Sequence, residues 1–535
     1  MPKSRGADAF AATLAAAGIR RVFTLSGNHV MPVFDAAIDA NLGLIHVRHE
    51  AAAVHMADAW ARLTGEVGIA LVTGGPGHAN AIGALYTAAM AESPVVLFSG
   101  HAPHDELGKG AFQEMRQEDI AAPLCKASWT CASADILASD VVKAIALARG
   151  GRPGPVHVSL PSDTLEGHAR AGGYPGAQAD RRISSLDAAP FIAILANATR
   201  PLILAGPGAC SKRGRERMKR LEEATGIPVV CMESPRGVGD PSLGAFAQVL
   251  AQADRILLLG KRLDFTLKFG RAPAIAADCT FIQVDPEDDE VARTRRAVGE
   301  RLVHSVMADP FDAAEAIAKH ATPVKSGWLD EVRAAIAFRP VAWDHVASSI
   351  PDRLHPVQAL RPLQAMLDAH PDSVFISDGG EFGQWAQACL RAPNRVINGV
   401  AGAIGPALPF ALAARLAKPN APVVAAMGDG TFGFHASEID TAVRYVLPFT
   451  AVVGNDARWN AEHQIQVREY GAERAVGTDL LATRYDEVAR GFGGYGEMVT
   501  KPSELADASR RAVASGLPAV LNVMIEGLAA PNIKR

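Results

Sequence analysis

The sequence predicts an α/β fold made of several parallel sheets. Short apolar runs alternate with longer helical patterns along most of the chain, and that alternation is typical of doubly wound parallel sheets. The 535 residues are enough for about three domains of ordinary size. Polar stretches that contain glycine or proline, at 167–182 and roughly 322–356, interrupt the alternation. We therefore expect three doubly wound α/β domains, over 1–166, 183–322 and 356–535.

The predicted strands are short apolar runs, most of them followed by glycine or a polar turn. They lie at 21–25, 69–73, 95–99 and 156–160 in the first domain, at 202–205, 228–231, 255–259 and 280–284 in the second, and at 373–377, 423–427, 449–453 and 519–524 in the third. An alanine-rich pattern over 51–63 predicts a helix. The first and third domains share one strand–loop–helix rhythm.

Composition narrows the partners and the compartment. Hydrophobic residues make up 49% of the chain and charged residues 21%, and no apolar run reaches 18 residues, so we expect a globular protein without a membrane partner. A formal charge of -4 without a long basic block argues against nucleic acid and favours a small molecule. Six scattered cysteines lack metal-ligand spacing, and the N-terminus lacks a signal peptide's apolar core. We expect reduced thiols and a cytoplasmic location.

The strongest motif is Gly428-Asp429-Gly430, which directly follows a predicted buried strand. Ligands bind open α/β sheets at the carboxyl ends of the strands, and glycines there let the backbone approach phosphate oxygens closely. Asp429 supplies the hard oxygen ligand that Mg²⁺ requires, and the loop Asn455 to Arg458 follows the next predicted strand. The sequence therefore predicts a site for Mg²⁺ and a diphosphate.

These motifs resemble those of the thiamine-diphosphate (ThDP) enzymes of the acetolactate synthase-like superfamily. The resemblance runs through the whole chain in the family's order, over Arg48-His49-Glu50-Ala51, the turn from Gly74 to Asn80, Ala111-Phe112-Gln113-Glu114, Gly151 to Val156 and Gly428-Asp429-Gly430. Within the superfamily, Asp378-Gly379-Gly380 and Gly454 to Trp459 are most similar to the 2-hydroxyacyl-CoA lyases and benzaldehyde lyase. The resemblance implies a pyrimidine-binding first domain, a central domain and a diphosphate-binding third domain.

The resemblance also implies how the chain holds ThDP. Glu50 would be the catalytic carboxylate. A carboxylate that is hydrogen-bonded to the pyrimidine ring of ThDP in a dry pocket favours the tautomer of that ring whose imine removes the cofactor's C2 proton. Taken alone, a glutamate at a helix start more commonly stabilises the helix dipole, and it is the diphosphate motif that favours the catalytic role for Glu50. The remaining residues implied to bind the cofactor are Gly74, Asn80, Asp378, Gly379, Gly380, Gly402 through its carbonyl, Ile404 as the wedge between the two rings, Gly428, Gly430, Thr431, Asp456 and Trp459.

The metal ligands depend on the register of one loop. Asp456 lies 27 positions after Asp429, the spacing at which the family places a metal-binding asparagine. On that register Asp456 replaces the usual amide, and the backbone carbonyl of Arg458 is the third protein ligand. In the alternative register, shifted by one residue, Asn455 is the ligand. Two carboxylates beside a diphosphate add repulsion that Mg²⁺ must offset.

Two further residues are candidates for contact with the substrate. His29 and Gln113 stand where benzaldehyde lyase-like members keep a histidine and a glutamine for proton transfer and carbonyl orientation, and a histidine that titrates near neutrality suits that role. His29 fits a satisfied loop histidine as the alternative. The adjacent His-His pair of pyruvate-type decarboxylases does not occur after the Gly74 turn.

The expected activity is the ThDP- and Mg²⁺-dependent cleavage or formation of a carbon–carbon bond next to a carbonyl, as in a 2-hydroxyacyl-CoA lyase or benzaldehyde lyase. The alternatives are an acetolactate synthase-like carboligase or 2-oxoacid decarboxylase, and, from another class, a non-enzymatic ThDP-binding regulatory protein. The basic cluster of Lys261, Arg262, Lys268 and Arg271 leaves open FAD, a CoA-type nucleotide or a solvated face. The resemblance implies a homodimer or homotetramer with active sites between subunits.

Overall fold

Three parallel sheets with helices around them form the protein, and this confirms the predicted fold class. The computed structural model describes residues 5–169, 187–324 and 326–535, so the predicted linker at 167–182 lies outside the described residues from 170 onward. The described chain divides into two compact units. The first unit holds the first sheet together with Leu408–Pro419 and Ser437–Leu447, and the second unit holds the other two sheets.

The first sheet has six strands in the order β2-β1-β3-β4-β6-β5. Its strands are β1 Arg21–Thr24, β2 Gly43–His46, β3 Gly68–Val72, β4 Val95–His101, β5 Ser128–Thr130 and β6 Val156–Pro161. Its helices are α1 Gly6–Ala16, α2 Met31–Asp39, α3 Glu50–Thr64, α4 Pro76–Met90, α5 Gln117–Ala121, α6 Ala134–Arg149 and α7 Ser162–Glu166. The central strands β3, β4 and β6 are buried along their whole length, as their continuous apolar runs require.

The second sheet has five strands in the order β11-β10-β9-β7-β8. Its strands are β7 Pro201–Ala205, β8 Val229–Cys231, β9 Arg255–Leu259, β10 Thr280–Asp285 and β11 Leu302–Met307. The helices of this part of the chain are α8 Ala189–Ala196, α9 Lys212–Thr225, α10 Phe246–Leu250, α11 Asp288–Val298, α12 Pro310–His320 and α13 Gly327–Ala337. Two apolar clusters, on opposite faces of the sheet, form its core.

Helix α13 lies in a segment that the sequence analysis treats as a linker. Trp328, Val332 and Ala335 are spaced along one helical face and are buried in the core of the second sheet. The Trp328 indole N–H also donates to the backbone carbonyl of Pro201 at 2.9 Å. The linker prediction is therefore wrong for 327–337, because three buried side chains among polar residues give too weak a pattern to recognise alone.

The third sheet repeats the strand order of the first, as β13-β12-β14-β15-β17-β16. Its strands are β12 Val374–Ser377, β13 Asn394–Ile397, β14 Val423–Gly428, β15 Thr450–Asn455, β16 Tyr495–Val499 and β17 Ala519–Met524. The helices are α14 Pro356–Leu360, α15 Gln364–Asp368, α16 Gly380–Cys389, α17 Ala407–Ala417, α18 Asp429–Phe432, α19 Glu438–Arg444, α20 Asn460–Tyr470, α21 Tyr485–Gly491 and α22 Pro502–Ala514. Among the described residues, none of these helices has both the length and the apolar character that a membrane span needs.

Candidate active site

The chain segments that follow β12, β13, β14 and β15 meet at the carboxyl edge of the third sheet. Strand β14 pairs in register with β12 on one side and β15 on the other, so that Gly428 lies beside Gly454. A cavity of about 310 Å³ lies at this edge. Its lining comprises Pro235, Arg236, Gly379, Gly380, Glu381, Phe382, Gln384, Asn398, Gly402, Ile404, Gly428, Asp429, Gly430, Thr431, Gly454, Asp456, Arg458, Trp459, Asn460, Ala461 and Glu462.

Asp429 is the first residue of α18 and is only 2% exposed. Burial raises the pKa of its carboxyl group to about 6, although backbone N–H groups of Gly430, Arg458 and Ala457 act in the opposite direction. Its Oδ2 atom accepts no hydrogen bond from the described residues. A buried carboxylate oxygen without a donor is a ready ligand for a cation, which would supply the missing partner.

Asp456 lies in the same cavity, and Asn455 does not. Burial, and then the charge of Asp429, raise the pKa of Asp456 to about 7, so the two carboxyl groups influence each other. The Asn455 amide is fully buried and is used within the fold: its N–H donates to Thr483 and Asn522, and its oxygen accepts from the Ala457 N–H. Of the two residues in the alternative registers, only Asp456 faces the cavity.

The backbone beyond Asp456 makes a tight turn. Ala457 has φ +61°, in the left-handed region, and the Trp459 N–H donates to the Thr478 carbonyl at 2.8 Å. The Arg458 side chain lines the cavity and pairs with Asp479 at 3.1 Å. No group of three or more His, Cys, Asp and Glu side chains suited to a metal occurs among the residues that the structure describes. Two carboxylates supplemented by a backbone carbonyl nevertheless fit Mg²⁺, which commonly takes one or two carboxylates plus phosphate oxygens and water.

The glycines of the cavity are places of close approach. A Cβ on Gly430 would lie 2.7 Å from the Trp459 ring, and a Cβ on Gly379 would lie 2.7 Å from Ile404. Gly402 and Gly380 have φ +69° and +78°, which an L side chain rarely adopts. Because these glycines have no side chain, the backbone N–H groups stay accessible at the edge where a diphosphate would bind.

Asp378 has a different place from the one predicted. Its carboxylate is fully buried and accepts hydrogen bonds from three backbone N–H groups, those of Gly379 and Gly405 on Oδ1 and that of Ala407 on Oδ2. Burial raises its pKa to about 6. The carboxylate therefore ties the turn that contains Gly402 and Ile404 to the end of β12, and Asp378 is not part of the cavity lining.

The cavity contains polar groups that no sequence motif marks. Asn398 donates from Nδ2 to the Ala403 carbonyl at 2.9 Å, while its Oδ1 is buried without a donor among the described residues. The Oε1 atom of Gln384 is likewise buried without a hydrogen-bond donor from the described residues. Arg236, from the second sheet's segment, pairs with Glu381 at 3.3 Å. Asn398 and Gln384 thus offer two acceptors to a ligand that carries N–H groups.

In the first unit, Glu50 begins α3 and is 8% exposed. The Asn80 side-chain amide donates to Glu50 Oε2 at 3.0 Å. Glu50 Oε1 lies 3.4 Å from the position of a Cβ on Gly77, so the carboxylate stands directly against the turn that precedes α4. The structure therefore brings Glu50 and Asn80 together.

His29 and Gln113 flank the same turn. His29 Nδ1 lies 3.3 Å from the Thr73 hydroxyl, and burial, followed by the charge of His101, lowers its pKa. A Cβ on Gly75 would lie 2.7 Å from the Gln113 carbonyl oxygen, and Gln113 Oε1 is buried without a donor among the described residues. A Cβ on Gly74 would collide with the Gly100 carbonyl at 2.6 Å.

The basic cluster of the second sheet is partly neutralised within the fold. Lys261 is 2% exposed, with its ammonium 3.5 Å from Asp264 and 2.7 Å from the Thr266 hydroxyl. Arg262 pairs with Glu290 at 3.1 Å. The two other members, Lys268 and Arg271, are exposed. Two of the four basic side chains are thus already paired with carboxylates of the fold. This pairing favours a structural role for Lys261 and Arg262.

Comparison with known proteins gives three family models and several relatives. Thiamine pyrophosphate enzyme models match residues 4–120 (N-terminal TPP binding domain), 189–308 (central domain) and 378–523 (C-terminal TPP binding domain). A probable acetolactate synthase of Mycobacterium bovis is 33% identical over 533 residues, covering 96% of this chain and 94% of that protein. Human 2-hydroxyacyl-CoA lyase 2 is 30% identical over 585 residues, covering 97% and 90%.

One solved structure has the same fold over the whole chain. The thiamine diphosphate-dependent 4-hydroxybenzoylformate decarboxylase of Rhodococcus jostii RHA1 superposes with a TM-score of 0.82 at 21% identity, covering 98% of this chain and 99% of that one. The resemblance inferred from the motifs is confirmed, as is the prediction of a ThDP-dependent enzyme. Since the three models together match most of its length, the chain belongs to the thiamine pyrophosphate enzyme family.

Proposed function

We propose that this protein uses ThDP and Mg²⁺ to cleave or form a carbon–carbon bond next to a carbonyl, with 2-hydroxyacyl-CoA lyase or benzaldehyde lyase-like activity as the first candidate. The observation that carries the proposal is the pair of buried carboxylates, Asp429 and Asp456, at the glycine-rich edge of β14 and β15. The matched relatives named as acetolactate synthase and 2-hydroxyacyl-CoA lyase both support this reaction class.

We assign the metal to Asp429, Asp456 and the backbone carbonyl of Arg458. The use of the Asn455 amide by Thr483 and Asn522 supports Asp456 over the alternative register. The N–H groups of Gly379, Gly380, Gly430 and Thr431 would hold the diphosphate, since they stand at the starts of α16 and α18. Trp459, packed on Gly430, would bound this end of the cofactor site.

When bound, ThDP supplies a carbanion that adds to a carbonyl carbon and accepts the electrons of the adjacent bond. Glu50 would hold a proton at its carboxylate and exchange it with the pyrimidine ring, while Asn80 fixes the orientation of Oε2. Ile404 would hold the two rings of the cofactor against each other, and the Gly402 carbonyl would accept from its amino group. The unpaired acceptors of Asn398 and Gln384 support the binding of a ligand that carries an amino group at this place.

His29 and Gln113 would face the substrate. The lowered pKa of His29 keeps its imidazole neutral at physiological pH, so that one ring nitrogen can accept a proton from a substrate hydroxyl. Gln113 would orient the substrate carbonyl. A 2-hydroxyketone or 2-hydroxyacyl thioester has both groups, and this supports a lyase as the first candidate.

The second candidate is an acetolactate synthase-like carboligase or 2-oxoacid decarboxylase, which the 33% identical relative supports. Glu50 and Asp429 belong to different units of the fold. We propose that, as in related enzymes, ThDP lies between the first domain of one subunit and the third domain of its partner, in a homodimer or a tetramer of two such dimers. We also propose three domains, over 1–166, 183–322 and 356–535, with helix α13, which packs in the core of the second sheet, added to the central one.

The test is turnover by purified protein with ThDP and Mg²⁺, given separate 2-oxoacids, 2-hydroxyketones, aldehyde pairs and 2-hydroxyacyl-CoA esters. Lyase substrates should be cleaved to an aldehyde faster than 2-oxoacids are decarboxylated. Glu50→Gln should reduce the rate at least about a hundredfold, because the proton-transferring group is lost, while the circular dichroism spectrum stays unchanged. Glu223→Gln, at an exposed carboxylate, is the matched control. Full activity of Glu50→Gln would refute the assigned mechanism.

A further inference from the structure

The metal loop of this chain has more negative charge than the family pattern described above. A carboxylate, Asp456, stands where the resemblance places an amide, and it lines the same cavity as Asp429. Both are at least nine-tenths buried. The position of a Cβ on Gly527 lies 3.1 Å from Asp456 Oδ2, so the chain after β17 packs against this carboxylate and limits its rotation away from the site.

The neighbouring arginines do not form ion pairs with these two carboxylates. Arg458 pairs with Asp479 at 3.1 Å. Arg353 donates to the backbone carbonyls of Ile525 at 2.9 Å and Asp456 at 3.4 Å. Within the described residues, neither Asp429 nor Asp456 has a cationic side chain at ion-pair distance. The two carboxyl groups therefore line one cavity with no basic side chain of the described chain paired to them, and their oxygen atoms are left for a cation.

A diphosphate that approached this loop without a metal would meet two buried carboxylates of its own sign. A divalent cation that approached without the diphosphate would meet two carboxyl groups that supply hard oxygen ligands, and affinity for such ions rises with the number of charged ligands. Resting on the function proposed above, we propose that assembly of this site is ordered: the cofactor-free protein binds one divalent metal ion through Asp429 and Asp456, and ThDP binds to the metal-loaded protein.

The probe is Mn²⁺, whose free concentration is measured by electron paramagnetic resonance during titration of the full-length protein freed of ThDP. The wild-type protein should bind one Mn²⁺ per chain. Asp456→Asn should bind Mn²⁺ at least about tenfold more weakly on its own, because one anionic ligand becomes neutral. Asp479→Asn is the matched control: it removes a charge of the same loop region without removing a ligand, and should change the affinity less than about twofold.

The order would be refuted if cofactor-free wild-type protein bound no Mn²⁺, or if Asp456→Asn and Asp479→Asn changed the affinity equally. A separate titration with ThDP is monitored by tryptophan fluorescence, with and without Mg²⁺. It distinguishes a failure of the proposed function from a failure of the proposed order of binding. If ThDP fails to bind even with Mg²⁺, the proposed function itself fails. If ThDP binds equally well without metal, only the order of assembly fails. Circular dichroism of each variant checks that it is folded.

Discussion

Acid should destabilise the first unit through a buried histidine, His78. Its ring is fully buried in α4, with Nδ1 2.9 Å from the Ser99 hydroxyl and Nε2 without a partner among the described residues. The His157 ring lies 4.6 Å away and is equally buried. Burial lowers the pKa of His78 from 6.5 to about 4, and the charge of His101 acts in the same direction. The imidazole is neutral in the folded protein and takes up a proton on unfolding.

The sign and size of the effect follow from this pKa. Between pH 6.5 and 4 the unfolded chain binds more protons than the folded chain, so the free energy of unfolding falls as the pH falls through this range. At pH 5 the loss from His78 alone is about 2 kcal/mol relative to pH 8. In a unit of this size that corresponds to a fall in Tm of about 4–8 °C. His157, whose pKa also lies well below its usual value, adds to the same slope.

The assay is scanning calorimetry of cofactor-free protein at pH 8 and pH 5. His78→Gln keeps a hydrogen-bonding group near Ser99 but cannot take up a proton, so its Tm should fall less between the two pH values than that of the wild type, by about 4–8 °C. His345→Gln, at an exposed histidine, is the control and should leave the difference unchanged. Equal acid-induced shifts in wild type and His78→Gln would refute the reasoning. Because the chain has two units, the shift is read on the transition that His78→Gln moves.

Two further substitutions test the glycine-rich edge. Gly430→Ala should lower ThDP affinity at least about tenfold, because its Cβ would lie 2.7 Å from the Trp459 ring, whereas Gly491→Ala, at the end of α21 and outside the cavity lining, should be tolerated, since no atom of the described residues lies within 4 Å of its Cβ; fluorescence titration measures both. Asp378→Ala should destabilise the protein by about 3 kcal/mol in thermal denaturation, because three buried backbone N–H groups lose their acceptor.

For each of these two tests, one result would contradict the prediction. Equal ThDP affinities of Gly430→Ala and Gly491→Ala would show that Trp459 moves aside without effect. For Asp378→Ala, the control is Asp368→Ala, which removes an exposed carboxylate from the same domain. If both aspartate variants had the same Tm as the wild type, the turn at Gly402 would not depend on Asp378.

The sequence predicted the inner strands well and the outer strands poorly. Every strand in the middle of a sheet was predicted within one or two residues, because a strand covered on both faces needs a continuous apolar run. The strands that were missed, β2, β5, β11, β13 and β16, are all at sheet edges. Their sequences mix polar and apolar residues, since part of each is exposed, and no single-sequence pattern separates such segments from loops.

A similar limit applies to the candidate site. Asp429, Asp456 and Glu50 could be selected because they stand in motifs with fixed spacing. Asn398 and Gln384 could not, because their importance lies in unpaired oxygen atoms that exist only after distant loops have met. The inward-facing carboxylate of Asp378 was also beyond prediction: the sequence gives its place beside two glycines, but not which backbone groups approach it.

The first and third sheets share one strand order, so positions in one sheet can be matched to positions in the other. The loop after β3, from Gly74 to Gly77, is the counterpart of Gly428-Asp429-Gly430 after β14. The start of α3, with Glu50, corresponds to the turn with Gly402 after β13. In the function proposed above, the edge of the first sheet would serve proton transfer and that of the third would hold a metal, so these matched positions are natural sites for exchanging side chains by design.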